Sequence, residues 1–215
     1  MTGTELRTRL LGKIVWKATG CTVAITAFFV VYFYLMQNPV FPVRTMPVYS
    51  IDHAIPVMEW TTWIYFSLWV YICLPTTLMH TLPALGQFLL GAFILAVMGM
   101  SVFLFYPTAV PHWEIDWQQY DILAFLKTSD LSGNACPSMH VGYSVFAALW
   151  MSLMLKRFRV HVAWNVFNWF WALAIILSTL TTKQHVSIDV IWGTLFGAVA
   201  FVLNYLVMRR MQTQL

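Results

Sequence analysis

From Trp60 to Trp113, 54 consecutive residues contain no Asp, Glu, Lys or Arg. A soluble domain is about 25% charged, so a run of this length has no polar face to offer water. Lipid solvates it without penalty. A spanning helix needs about 20 mostly apolar residues, which leaves room here for two crossings and a short turn. The rest of the 215-residue chain agrees, with 60% hydrophobic and 9% charged residues. Apolar runs place spans over 14–36, 60–80, 85–106, 138–155, 162–181 and 186–208. The expected fold class is therefore all-α, an integral membrane bundle of six transmembrane helices in a single domain over 1–215. The first span follows a basic start, is long and lacks a small-residue cleavage site, which reads as a retained anchor. Lys17 near its beginning can snorkel to the interface.

Cations set the expected orientation. Arg7, Arg9, Lys13, Lys17, Lys156, Arg157, Arg159, Arg209 and Arg210 fall on one side of the six-span arrangement. Arg44, Lys127 and Lys183 fall on the other. Nine against three puts both termini in the cytoplasm of a cell-membrane protein, with 37–59, 107–137 and 182–185 facing outward. The net charge of +4 then belongs to a rim facing anionic headgroups of membrane lipids, and no nucleic acid is needed to explain it. Cys21, Cys73 and Cys136 are odd in number and apolar in setting, against a disulfide framework. Nothing in the sequence fixes an oligomeric state.

Ionisable groups inside spans are expensive and point to function. His140 lies just inside the fourth span, and Asp189 just inside the sixth with His185 one turn earlier. Pro137 suits a first helical position, so the N–H groups of Ser138 and Met139 are expected free at a helix start, a natural anion site. The bland alternative is a cap followed by a buried, hydrogen-bonded histidine. His185 and Asp189 are spaced i,i+4 and share a helix face. A carboxylate there fixes the imidazole tautomer and leaves the other nitrogen free to attack. The bland alternative is a pair that ties helices together. Two such segments at one membrane face favour the chemical reading.

These segments resemble the type 2 phosphatidic acid phosphatase superfamily, six-span enzymes that cleave or transfer lipid phosphate esters. The family's Pro-Ser-Gly-His motif is matched by Pro137-Ser138-Met139-His140. Its Ser-Arg, five residues, His, three residues, Asp motif aligns with Ser178-Thr179, His185 and Asp189. Thr179 stands where the family has arginine, and Lys183 is a candidate replacement. The family's Lys, six residues, Arg-Pro motif is missing; the nearest segment is Tyr106–His112. Asp52-His53-Ala54-Ile55-Pro56 and Trp63-Ile64-Tyr65 look more like the inositol phosphorylceramide synthase branch. The resemblance covers spans three to six, and the first two only in topology.

The resemblance implies a mechanism. His185 attacks phosphorus, Asp189 orients it, and protonated His140 donates to the departing alkoxide. Ser138, Met139, Lys183, Ser178 and His112 are the expected phosphate contacts. Neither a metal nor any other cofactor is required, although His140, His185 and Asp189 could chemically ligate zinc. The expected substrate is a lipid phosphate, and the competing reading is transfer to a lipid or polyol hydroxyl. A haem protein using His140 and His185 as axial ligands would leave Asp189 and Pro137-Ser138 without a role, and the absence of repeats disfavours a transporter. Trp113 and Trp117 are expected to lie on the membrane as a lid. Glu114, Asp116, Asp121 and Asp130 are expected in a solvated loop. His53, His80 and His161 are expected to be structural.

Overall fold

The computed structural model describes residues 3–129 and 133–210, so Asp130 falls outside it. A short helix α1 (Gly3–Leu11) precedes the first long one, α2 (Ile14–Gln37). A two-residue strand β1 (Arg44–Thr45) and a turn of helix α3 (Ser50–Ala54) follow. Next come three short pieces, α4 (Thr61–Phe66), α5 (Leu68–Tyr71) and α6 (Leu74–Leu78), and then the long α7 (Leu82–Phe105). The outer loop holds β2 (Thr108–Ala109), a 3₁₀ turn (Trp117–Gln119) and α8 (Asp121–Ser129). The chain finishes with α9 (Met139–Arg157), α10 (Val162–Thr181) and α11 (Ser187–Arg210). The all-α expectation holds. Among the described residues four helices, α2, α7, α10 and α11, are long and apolar enough to cross a membrane.

The two expected spans outside that group differ for different reasons. The 60–80 segment is kinked rather than straight. Ser67 and Cys73 have ψ angles of −14° and −17°, tighter than an α-helix. The Ser67, Thr76 and Thr77 hydroxyls donate back to the carbonyls of Ile64, Cys73 and Leu74, competing with the helical ladder. Pro75 removes one further donor. Helix α9 is continuous but less apolar, and it has no need to be apolar. Residues 139–148 are all buried, because α7, α10 and α11 surround it.

Packing of α9 on α11 fixes the site. Gly193 and Gly197 are spaced as in a small-xxx-small contact. A Cβ on Gly193 would overlap the Ser138 carbonyl oxygen, and one on Gly197 would overlap the Gly142 carbonyl oxygen. The two backbones touch, which brings Ser138 and His140 beside the first turn of α11. Buried amides tie the other helices. Gln87 and Asn204 exchange hydrogen bonds with each other's carbonyls between α7 and α11. Asn168 on α10 donates to Ala148 O and accepts from the Tyr71 hydroxyl at 2.7 Å.

The ends of the bundle are chemically distinct. At one end Arg9 donates to Leu78 O and stacks on Phe158, and Lys17 donates to Thr77 O. At the other end β1 pairs with β2 in parallel, and Thr108 bridges to Asn134. The loops 37–59 and 107–137 therefore form one cap. Two-residue strands were not legible as strands from the sequence.

Candidate active site

The capped end of the bundle gathers His140, His185 and Asp189. Asp189 is fully buried at the start of α11. Its Oδ2 accepts the Val186 N–H at 3.0 Å, and its carbonyl accepts the Ser138 N–H at 3.1 Å. His185 Nδ1 lies 3.5 Å from Asp189 Oδ2, an ion-pair distance at the outer limit of a hydrogen bond. Neither His185 Nδ1 nor Asp189 Oδ1 has a hydrogen-bond partner among the described residues. A small rotation of the imidazole would close the bond that orients it.

His140 stacks on Tyr65, with ring centroids 3.8 Å apart, and meets Trp69 edge-on. Its Nε2 lies 2.8 Å from the Tyr65 carbonyl oxygen. A carbonyl only accepts, so Nε2 carries a proton and Nδ1 is the atom left to gain or lose one. The partner carbonyl lies two residues before the Ser67 kink, so the irregular 61–78 segment supplies part of this environment.

His140 and His185 line a common cavity of about 250 Å³, walled by Phe28, Phe29, Tyr32 and Tyr143. His185 also borders a second cavity of about 250 Å³ that is polar, lined by Lys127, Asn134, Gln184, Thr108 and His112. His185 thus sits where an aromatic compartment meets a polar one. The Nδ2 of Asn134, buried on that polar wall, has no partner among the described residues.

The expected phosphate contacts divide. His112 borders the polar cavity and Met139 the aromatic one. Lys183 lines neither. Its Nζ donates to the carbonyls of Asp52 at 2.7 Å and Ile55 at 2.8 Å, and lies 4.3 Å from the Trp113 ring centroid. Burial pulls this ammonium below its usual range, and the Asp52 carboxylate opposes that pull. Lys183 clamps the 50–55 segment. The Ser178 hydroxyl donates to Ile175 O within α10. Ser138 is the N-cap of α9, its Oγ accepting from Val141 N–H. Pro137 therefore precedes the cap, and the Ser138 N–H is engaged rather than free.

Two residues that sequence reasoning passed over hold or line the site. Asp52 accepts the Ser187 N–H at 2.7 Å and its hydroxyl at 3.0 Å, capping α11 from 135 residues away. Together Asp52 and Lys183 brace both flanks of His185. A buried acid in an outer loop was the available signal. Lys127, read only as an outer charge, borders the polar cavity, donates to Lys183 O at 2.6 Å and packs over Trp117.

The remaining expectations resolve simply. Trp113 and Trp117 do not share a helix face, since 111–116 is not helical; they wall the polar cavity. His161 caps α10, His80 accepts from Arg9, and His53 packs on Trp113. Among the described residues no cluster of three His, Cys, Asp or Glu side chains is placed to hold a metal ion.

Fold and site define a helical membrane protein with one histidine 3.5 Å from a buried carboxylate and a second, buried histidine on the same cavity. The family model of the PAP2 superfamily matches residues 82–212, and the chain belongs to that superfamily. Its members are phosphatases or phosphotransferases, which makes this chain a phosphatase-type membrane enzyme. No curated protein and no solved structure matches it.

Proposed function

We propose that the chain is a six-span lipid phosphate phosphatase, working at the outer membrane face through a phosphohistidine on His185. The observation that carries this reading is the placement of His140 and His185 around one cavity, with Asp189 behind His185. Connectivity supports the reading of six crossings. Residues 79–81 join α6 to α7, and residues 158–161 join α9 to α10. Links this short reverse direction within a few ångströms, which favours a full crossing for the kinked segment and for α9. At 1.5 Å per residue α9 is about 28 Å long, close to the hydrocarbon thickness. The nine basic residues at the opposite end support an outward-facing site.

His185 Nε2 attacks phosphorus and the bond from phosphorus to the lipid oxygen breaks. Asp189 holds the ring and offsets its charge. His140, protonated on Nδ1 as well as Nε2, gives its Nδ1 proton to the departing alkoxide. Lys127 and His112 face the phosphoryl oxygens from the polar compartment, in the role first expected of Lys183. Water then attacks phosphorus and gives a proton to His140 Nδ1 as the bond from phosphorus to His185 Nε2 breaks, so phosphate leaves and both histidines return to their starting states.

A second reading, transfer of a phosphoryl headgroup to a lipid or polyol hydroxyl, is favoured by the polar cavity. Its volume exceeds what a phosphate needs, and Asn134, Gln184 and the two tryptophans suit a polyol. A panel of lipid phosphates and phosphodiesters, with and without ceramide, diacylglycerol and inositol, separates the readings. Hydrolysis releases inorganic phosphate without an acceptor, whereas transfer makes new phospholipid only with one. Neither product from any lipid would overturn both.

A further inference from the structure

Beyond the histidine cavity, the bundle stays open toward its other end. A groove of about 330 Å³ runs between α2, the kinked 61–78 segment and α7, walled by Ala24, Ala27, Ala92 and Ala96 and reaching Cys21 and Cys73. It shares Phe28, Trp69 and Tyr143 with the cavity that holds His140 and His185. We propose that this groove holds one hydrocarbon chain of the substrate and sets the chain length that the enzyme accepts. The proposal deepens the lipid phosphatase reading and rests on it.

Chemistry fixes the occupant. The wall is almost wholly apolar, and its polar groups are engaged. The Tyr143 hydroxyl donates to Ala92 O at 3.2 Å, and Cys21 Sγ lies 3.6 Å from Thr76 Oγ1. A headgroup would find no partner here, while hydrocarbon loses nothing. Small residues make the space. Alanines stand where the facing helices α2 and α7 would otherwise interdigitate large side chains. Length follows from α2. Met36 borders the histidine cavity and Cys21 the far end of the groove. Fifteen residues of helix between them span about 22 Å. Half the hydrocarbon core is about 15 Å, so a chain anchored by its phosphate at His185 fills the groove only when long and extended. Leu89, against Gly20, marks the far end.

The test uses lipid phosphates with one headgroup and eight-, twelve- or sixteen-carbon chains, in one detergent, against Ala92→Phe and Ala24→Phe. A misfit of a single methylene in an apolar pocket is worth roughly 10- to 200-fold. Each variant is therefore expected to lose at least about tenfold more kcat/KM on the sixteen-carbon substrate than on the eight-carbon one. Equal losses on every chain would overturn the proposal, the groove then holding bulk lipid only. A second measurement does not depend on turnover. In a Cys73→Ser, Cys136→Ser background, a sixteen-carbon alkyl phosphate is expected to slow modification of Cys21 by N-ethylmaleimide, and an eight-carbon one to leave it unchanged. The same rate with both would also overturn the proposal. Failure of the phosphatase reading looks different: no lipid releases phosphate, yet Cys21 protection still follows chain length.

Discussion

Between α9 and α11 the backbones approach until no side chain fits at Gly193 or Gly197, whereas α2 and α7 stand far enough apart to leave a groove. The tight contact carries His140 and Asp189, and the loose one lines an apolar groove. Chemistry needs groups held within about 0.5 Å of a productive geometry, and rigid helix contact provides that. A chain-bearing substrate needs space, and small side chains on facing helices provide it. The family match, over 82–212, covers the tight contact and stops short of α2 and the kinked segment.

The comparison is broken most completely at its tight side. Gly193→Leu drives a side chain into the Ser138 carbonyl, and overpacking costs about 1–3 kcal/mol while prising Ser138 and His140 from Asp189. Activity is expected to fall to background and the unfolding temperature in detergent to drop. Gly86→Leu on α7, where a Cβ meets nothing within 4 Å, serves as the control and should change neither. A fully active Gly193→Leu protein would mean that this contact does not hold the site.

Substitutions of the two histidines separate their roles within the tight half. His185→Ala should be inactive on every substrate. General acid catalysis is worth about 10² to 10⁴, so His140→Ala should lose most of that on a lipid phosphate. It should lose far less on an aryl phosphate, whose leaving group departs as a stable anion. Equal losses for His140→Ala on both substrates would assign it to holding phosphate instead.

Much of the tight half was readable in the sequence, because its evidence is chemical. His140, His185 and Asp189 are conspicuous in apolar surroundings, and i,i+4 spacing pairs two of them. What spacing cannot show is which hydrogen bonds are already taken. Lys183 and Ser178 looked available for phosphate, yet one is spent on the carbonyls of Asp52 and Ile55 and the other on Ile175. Asp52 was passed over because its partner Ser187 is 135 residues away. The kink at Ser67 was hidden because hydropathy reports burial in lipid and is blind to backbone competition by hydroxyls.

Smaller effects sharpen the comparison at the cap and the kink. Asp52→Ala leaves the half-buried Ser187 N–H without its partner, at a cost of about 1 kcal/mol, and frees the turn that carries His185. Activity should fall about tenfold through kcat, with Asp52→Asn recovering part of it. A change confined to KM would place Asp52 in substrate binding. Ser67→Ala removes the bonds to Ile64 O and Trp171 Nε1 and should cost about 1 kcal/mol, with activity within about twofold of the parent. A larger loss would show that the kink depends on that hydroxyl.

The most direct measurement is to trap the phosphoenzyme. Purified protein is mixed with a radiolabelled lipid phosphate, quenched in alkali within the first turnover, digested, and the labelled peptide identified. The account predicts a base-stable, acid-labile phosphoryl group on His185, absent from His185→Gln and longer-lived when the second step is starved of water or acceptor. Single-turnover product release with no label on His185, or label on His140 instead, would contradict it.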